Sequence, residues 1–309
     1  MTIRAIVTTP PYASFLDEVA GHRLTSGFRL NTVMPIKDGP HEALERLTKF
    51  GQPLWVDLKG RQLRVVGAAM PPFTEIHLSH RIRVQAPVDA FFSDGNERVR
   101  VVAVDGDRIL LEDGPRRLIG PGESVNIVHP SLEIEGTLTD TDRAYLAAMK
   151  EMGLTKVMLS YVESPEDVAE VKSLLPGAEV LLKIESLRGL DFAKKHDVSH
   201  GHLIAARGDL YVELPRPHRI IPALKAIIGA DPQAIVASRI LDSLAWTPVP
   251  VSADISDVAF LLEIGYRTFM LGDQVCLKRD TVMEALNLLE AIAKEHKDPQ
   301  SSRKSIGTA

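Results

Sequence analysis

The 309-residue sequence has little of several features that would place a protein in a functional class at once. It contains one cysteine, Cys276, which excludes a disulfide within the chain and a zinc site built from several cysteines. It has no apolar run of about 18 residues, so no segment is expected to span a bilayer. Basic residues are not in excess either, and the net charge is −5. Nucleic acid and membranes are therefore not expected partners, whereas a local cationic pocket could still bind a small anion.

Several familiar motifs are also missing. The sequence has no GxxxxGK[ST] phosphate loop and no GxGxxG dinucleotide loop, and its ten histidines lack the HExxH spacing of a zinc protease. The first residues form too short an apolar run for a signal peptide, so the expected location is the cytoplasm.

What the sequence does contain is a regular alternation of short apolar runs with amphipathic helical segments. Near-continuous apolar runs are typical of strands that are buried on both faces. Eight such runs occur, at residues 4–9, 27–32, 53–59, 156–162, 179–185, 202–209, 234–238 and 268–273. Eight strand–helix units in series predict a (β/α)8 TIM barrel of the α/β class, and this count favours a barrel over a doubly wound sheet.

The alternation is interrupted once, between residues 65 and 136. Helical patterns are absent there, and strand-like segments are separated by turns rich in Gly and Asp, at 80–86, 98–106, 108–114 and 123–129. We predict a small all-β domain, 65–136, inserted after the third barrel strand. The barrel then comprises residues 1–64 and 137–297, and residues 298–309 are expected to form a disordered tail.

Capping residues mark the expected helix boundaries. Thr139 is expected to precede one helix, and Ser164, which stands before a proline, another. A third helix is predicted to begin at Ser256-Asp257 and to end at Gly265, and the last long helix covers 280–296.

The chemistry is expected at the carboxyl ends of the barrel strands. Lys183 and Glu185 end the fifth run and point to the same side, because side chains alternate along a strand. A buried lysine and carboxylate need a partner or a metal, so the two are either a structural ion pair or part of a site. Asp209 ends the next run. It could share Mg²⁺ or Mn²⁺ with Glu185, or it could be only a turn or helix-cap residue.

Two other strand-end residues are candidates for substrate contacts. Arg29 has the planar, permanently charged group that clamps phosphate or carboxylate. Ser238 could donate a hydrogen bond or a proton, although a lone serine at a strand end is more often a helix cap.

In their order along the chain, these strand-end segments resemble those of the pyruvate kinase family. The matching segments are GFRLN (27–31), VDLKG (56–60), LLKIES (181–186), AARGDLYVELP (205–215), IVASRILDSL (235–244), SADISDVAFLLEIG (252–265) and FMLGD (269–273). The resemblance extends over residues 3–296. It implies a barrel whose inserted domain is a lid, and a glycolytic enzyme that transfers a phosphoryl group from phosphoenolpyruvate to ADP through enolpyruvate.

The resemblance also implies which residues contact the substrate. Lys183 matches the lysine that stabilises the enolate and the moving phosphoryl group, and Arg29 matches an arginine that binds phosphate. Ser238 stands where the family has a threonine that positions the substrate and the proton donor. Together, the residues expected to bind substrate are Arg29, Lys183, Arg207, Gly208, Asp209 and Ser238.

Other residues match the family's ion and nucleotide sites. Glu185 and Asp209 match ligands of the divalent metal, Mg²⁺ or Mn²⁺. Asn31 and Asp57 match ligands of a monovalent cation, K⁺. Arg64 matches an arginine near the nucleotide phosphates, and Asn31 is expected on the same side.

Several residues depart from the family's motifs, mainly on the nucleotide side. Val33 stands where the family has a serine, and it offers no side-chain oxygen to a cation, which argues against a K⁺ site. Tyr211 replaces a glycine that follows the Arg-Gly-Asp segment and narrows the rim of the site. Arg239 replaces the glutamine that follows the family's threonine.

Two other functions stay open at this point. The eroded nucleotide side favours a metal-dependent lyase or aldolase that forms a pyruvate-type enolate without ATP, whereas Lys183, Arg29 and Arg64 favour the phosphotransferase. A non-catalytic barrel homologue is the third hypothesis.

The expected partner is a small molecule, namely phosphoenolpyruvate, pyruvate or a related 2-oxo acid, with ADP or ATP, and a homo-oligomer is compatible with the sequence. Because the sequence ends after the last barrel helix, the family's C-terminal regulatory domain is expected to be absent.

Overall fold

The computed structural model describes residues 2–297, so the predicted disordered tail, 298–309, lies outside the described residues. Strands are numbered in chain order, and the first three are β1 (Arg4–Thr8), β2 (Thr25–Asn31) and β3 (Leu54–Leu58). The next eight are β4 (Val65–Val66), β5 (Glu75–Leu78), β6 (Ile82–Arg83), β7 (Val88–Phe92), β8 (Glu97–Asp105), β9 (Arg108–Leu111), β10 (Val125–Asn126) and β11 (Glu133–Ile134). The last five are β12 (Lys156–Leu159), β13 (Glu179–Ile184), β14 (Leu203–Ala206), β15 (Ile235–Ala237) and β16 (Thr268–Leu271).

Strands β1–β3 and β12–β16 form a closed parallel barrel in the order β1-β16-β15-β14-β13-β12-β3-β2. Every residue of β3, β14 and β16 is buried, as expected for strands with helices outside and a filled interior. Each of the eight predicted runs overlaps one of these strands, so the (β/α)8 barrel is confirmed.

An apolar cluster contributed only by barrel strands includes Trp55 and Leu181. Asp57 and Lys183 follow these two residues by two positions on β3 and β13, so they point to the same side. The interior therefore changes from apolar to charged toward the carboxyl ends of the strands.

The helices within residues 2–297 are α1 (Leu16–Gly21), α2 (Pro40–Thr48), α3 (Asp140–Glu151), α4 (Pro165–Leu174), α5 (Leu187–Ala193), α6 (Arg207–Glu213), α7 (Ile220–Ala230), α8 (Ser252–Ile264), α9 (Asp273–Cys276) and α10 (Arg279–Lys297). Thr139 caps α3: its hydroxyl accepts from the Asp142 amide at 3.1 Å, and the Asp142 carboxylate accepts from the Thr139 amide at 2.9 Å. The predicted start at Ser256 is wrong, because α8 begins four residues earlier, at Ser252. Within the described residues, no helix has the length and apolar character needed to cross a membrane.

Residues between β3 and β12 form separate antiparallel sheets. Six strands pair in the order β10-β7-β8-β9-β5-β4, and β6 pairs with β11. They surround their own apolar cluster, which includes Ile76, Phe92, Val101 and Ile109. The four predicted segments contain β6, β8, β9 and β10, whereas β4, β5, β7 and β11 were not predicted. This all-β insertion after the third barrel strand is confirmed, and its boundaries at 65 and 136 stay a prediction.

Candidate functional site

A cavity of about 790 Å³ opens at the carboxyl ends of the barrel strands. Eight of the ten predicted site residues line it, namely Arg29, Asn31, Arg64, Lys183, Glu185, Gly208, Asp209 and Ser238. The inserted domain supplies a further part of the wall, with Asp94, Asn96 and Ser124. The cavity therefore lies between the barrel and the insertion, with side chains from both.

Asp57, which does not line the cavity, joins two of the cations beneath it. Its Oδ2 accepts a hydrogen bond from Arg29 Nε at 2.7 Å, and its Oδ1 lies 3.3 Å from Lys183 Nζ. Burial by itself lowers the pKa of Arg29 and of Lys183, but the nearby carboxylates together outweigh burial, so both values are raised. These carboxylates are Asp57 and Asp273 for Arg29, and Asp57, Glu185 and Asp209 for Lys183. Both cations are therefore charged and fixed in direction at neutral pH.

Lys183 makes two other contacts that aim its ammonium group. Its Nζ donates to Ser160 Oγ at 2.8 Å and lies 3.1 Å from Glu185 Oε1. Ser160 directly follows β12, within the fourth predicted run, but the sequence alone gave this serine no role. The side chain of Lys183 is only 8% exposed, so the ammonium group reaches the cavity from a nearly dry position.

Glu185 and Asp209 present two buried carboxylates to the same cavity. Glu185 Oε2 accepts from the Tyr161 amide at 2.9 Å. Burial, together with the charge of Asp209 and against the opposing charge of Lys183, raises the pKa of Glu185 to about 7. Two carboxylates held this close in a buried place gain from a shared cation.

These carboxylates fit a divalent metal. Oxygen donors are what Mg²⁺ and Mn²⁺ prefer, and Mg²⁺ is commonly held by one or two carboxylates with the rest of its shell from substrate and water. Within residues 2–297, no group of three or more His, Cys, Asp or Glu side chains is arranged to hold a metal. Glu185 and Asp209 would therefore supply the protein's share, and substrate oxygens the remainder.

The residues present do not fit a monovalent cation. Asn31 Oδ1 accepts from the Val33 amide at 3.1 Å, and Asp57 is already paired with Arg29 and Lys183. A K⁺ ion would compete with two fixed cations for Asp57, and Val33 adds no side-chain oxygen.

Asp209 accepts hydrogen bonds from several polar side chains, and the sequence did not reveal this set of contacts. Its Oδ2 accepts from Gln62 Nε2 at 2.8 Å, and its Oδ1 accepts from Asn126 Nδ2 at 3.2 Å and from Tyr161 Oη at 3.3 Å. The Asn126 amide also donates to Glu213 Oε1 at 3.3 Å. Burial, together with a smaller contribution from the charge of Asp209, raises the pKa of Glu213 to about 8, so this carboxyl is largely protonated at neutral pH.

The two predicted nucleotide residues are both bonded within the protein. Asn31 Nδ2 donates to both carboxylate oxygens of Asp273 at 3.1 Å, and Arg29 Nη1 lies 3.3 Å from the same carboxylate. Arg64 donates to the Gly122 carbonyl at 2.6 Å and to the Gln62 side chain. Asp273 follows β16, whereas Asn31 and Arg29 lie on β2. Their contacts depend on closure of the barrel, in which β1 pairs with both strands.

Arg207 lies outside the cavity lining, in contrast to the direct substrate contact that was predicted. Its guanidinium donates to the Ser238 carbonyl at 2.8 Å and to the Arg239 carbonyl at 3.0 Å, and it pairs with Asp257 at 2.7 Å. It therefore supports the loop after β15. Ser238 does line the cavity, and a side-chain carbon added at Gly208 would lie 3.5 Å from Ser238 Oγ.

Comparisons with known proteins agree with this architecture. The family model described as pyruvate kinase, barrel domain, matches residues 76–276. Pyruvate kinase PKLR of Homo sapiens is 30% identical over 278 residues, which cover 78% of this chain and 48% of the relative. A pyruvate kinase of Agrobacterium vitis is 32% identical, and the match covers 72% of this chain and 48% of the relative. The chain thus spans about half the length of these curated relatives.

A solved structure supports the fold. The crystal structure of Cryptosporidium parvum pyruvate kinase superposes with a TM-score of 0.79 at 19% identity, covering 96% of this chain and 70% of that one. At this identity the likeness concerns architecture alone. Because the barrel-domain family model matches about two thirds of the residues, the chain belongs to the pyruvate kinase family.

Proposed function

We propose that this chain catalyses metal-dependent phosphoryl transfer between phosphoenolpyruvate and ADP, through an enolpyruvate intermediate. The observation that carries the proposal is the pair of fixed cations, Arg29 and Lys183, held by Asp57 at one end of a cavity that also contains Glu185 and Asp209. Transfer of a phosphoryl group needs fixed cations together with carboxylates that can hold a metal, because its catalysis is mostly positioning and neutralisation of charge.

In this proposal each charged residue has a separate task. Lys183 offsets negative charge on the moving phosphoryl group and on the enolate that remains, while Arg29 orients the phosphate before transfer. Glu185 and Asp209 hold Mg²⁺ or Mn²⁺, which supplies Lewis-acid neutralisation of phosphate and enolate oxygens. The Ser238 hydroxyl and the Gly208 backbone position the substrate at the opposite wall.

The alternative is a lyase or aldolase that forms a pyruvate-type enolate without ATP. The contacts of Asn31 with Asp273 and of Arg64 with Gln62 and Gly122 favour it, because both predicted nucleotide residues are engaged within the protein. Lys183 and Arg29, the cations that Asp57 holds in the cavity, favour the phosphotransferase, because an aldolase has no phosphoryl group to bind. Location in the cytoplasm and assembly into a homo-oligomer stay predictions.

Proton exchange at the pyruvate methyl group separates these functions. We would incubate pyruvate with the protein and Mg²⁺ or Mn²⁺ in D₂O, with and without ATP, and follow the methyl signal by NMR. Exchange that requires ATP or phosphate supports the phosphotransferase, and exchange with metal alone supports the lyase. The forward reaction of phosphoenolpyruvate with ADP is measured in parallel. Absence of both exchange and forward turnover contradicts both enzyme functions and leaves the non-catalytic homologue.

A further inference from the structure

The mouth of the cavity has a feature that the proposed function does not use. Arg239 and Trp246 line the cavity after β15, beside Asp242, and the indole of Trp246 is 72% exposed. The Arg239 guanidinium lies over the ring of Tyr211, 5.0 Å from its centroid. Both Tyr211 and Arg239 are positions at which this sequence departs from the motifs of the family it resembles.

The loop that carries Arg239 is held in a costly backbone conformation. Ser238, Arg239 and Leu241 have φ values of 69°, 56° and 52°, in the left-handed region that residues with a side-chain carbon rarely adopt. Arg207, which is buried, donates to the carbonyls of Ser238 and Arg239 and so imposes this shape. Strain that the surrounding structure enforces is most common where a side chain must be aimed at a ligand.

The Arg239 guanidinium is held in place over Tyr211, but no carboxylate within residues 2–297 neutralises its charge. Among the residues that the structure describes, it makes no ion pair with a carboxylate. The acidic groups that face it are Asp94, from the inserted domain, and Asp242, and its charge opposes the protonation of both carboxylates without forming an ion pair with either. Stacking on Tyr211 occupies one face of the guanidinium and leaves its N–H edge for two parallel hydrogen bonds, the geometry with which arginine binds carboxylate or phosphate.

We propose that Arg239, backed by Tyr211, is a subsite for a second anionic group of the ligand that binds at Lys183 and Glu185. The inference rests on the proposed function, because it takes the enolate-forming end of the ligand to lie at Lys183. The second anion is a carboxylate or a phosphate. It can come from a dicarboxylic 2-oxo acid or from the nucleotide, and the experiment distinguishes these sources.

The experiment is calorimetric titration in the presence of Mg²⁺, and it needs no turnover. 2-Oxoglutarate and 2-oxopentanoate have the same number of carbons and differ by one terminal carboxylate, and ADP forms the third arm. A charge-assisted bidentate contact is expected to give the wild-type protein at least about a tenfold preference for 2-oxoglutarate over 2-oxopentanoate. Arg239→Gln should remove that preference while 2-oxopentanoate affinity stays the same. Tyr211→Leu, which keeps the charge, should reduce the preference partially.

Arg219→Gln is the matched control, since it removes an exposed arginine outside the cavity. Arg239→Gln can instead weaken ADP binding about tenfold and leave the affinities for both 2-oxo acids nearly unchanged. In that case the anion subsite stands, and its ligand is the nucleotide phosphate. The subsite is refuted if Arg239→Gln behaves like Arg219→Gln for every ligand, or if it weakens the mono- and dicarboxylate alike. If the wild-type protein prefers 2-oxoglutarate over 2-oxopentanoate but shows no phosphoryl transfer, only the proposed function is refuted.

Discussion

Asp57 and Lys183 lie on β3 and β13, strands separated by β12 in the barrel, and their side chains meet at 3.3 Å. The same carboxylate holds Arg29 from β2, on its other side. A single anion on β3 therefore aligns two cations, one from β2 and one from β13, and Asp57 acts by positioning them. This arrangement makes the site sensitive to a residue that does not line the cavity.

Asp57→Asn is expected to lower both stability and activity. Removing the charge leaves Arg29 and Lys183 close together in a buried place, where Asp273 and Glu185 remain as their carboxylate partners. Loss of one member of a buried ionic group costs about 3 kcal/mol of unfolding free energy. Misplacement of the two cations should lower kcat/KM roughly 100-fold. Urea unfolding and the kinase assay measure the two effects.

Asp38→Asn provides the comparison, because Asp38 forms an exposed ion pair with Arg46 and such pairs contribute little. Equal unfolding free energies for the two variants would show that Asp57 does not hold the cations together.

The sequence was enough to locate the barrel strands and to place Lys183 and Glu185 on the same side of one strand. Both depend on local patterns, namely apolar runs of strand length and the alternation of side chains along one strand. The shared contact of Asp57 could not be derived in this way, since it depends on the register of three strands that are far apart in the chain.

The position of Asp209 illustrates the same limit. Two of its partners lie between β3 and β12 in the chain: Gln62 precedes the six-stranded sheet, and Asn126 ends the last strand of that sheet along the chain. These contacts exist only once the sheet folds back onto the barrel. Arg207 was misplaced for a different reason. It begins α6, and the helical start turns its side chain toward the loop after β15 and away from the cavity.

Lys183→Met should remove phosphoryl transfer and leave the fold intact. The thioether chain fills a similar volume, but it cannot offset the charge on the moving group. Loss of one electrostatic contact to a transition state typically lowers kcat by 100- to 1,000-fold. The measurement is the forward assay with phosphoenolpyruvate and ADP, with circular dichroism to check folding. Lys195→Met, at an exposed position outside the cavity, should keep full activity. Undiminished kcat in Lys183→Met would remove the role assigned to this lysine.

Glu185→Gln and Asp209→Asn should each weaken binding of Mn²⁺ by at least about tenfold, because each replaces a charged oxygen donor with a neutral one. Titration followed by the electron spin resonance signal of free Mn²⁺ measures this directly, without substrate. Asp191→Asn, an exposed change outside the cavity, serves as control. If either variant binds Mn²⁺ as tightly as this control does, the residue in question is not a metal ligand.

Glu213→Gln should change how stability depends on pH. The folded protein holds the Glu213 proton up to a pKa of about 8, whereas the unfolded chain releases it near the ordinary value of 4.5. Between these values the folded state binds more protons, so this residue makes the wild-type protein less stable as pH rises.

A glutamine keeps a carbonyl oxygen for Asn126 and has no proton to lose. At pH 9, relative to pH 5, the variant should gain about 3 kcal/mol over wild type. Urea unfolding at both pH values measures the difference, with the exposed Glu45→Gln as control. A stability difference from wild type that is the same at both pH values would mean that Glu213 is already ionised in the folded protein.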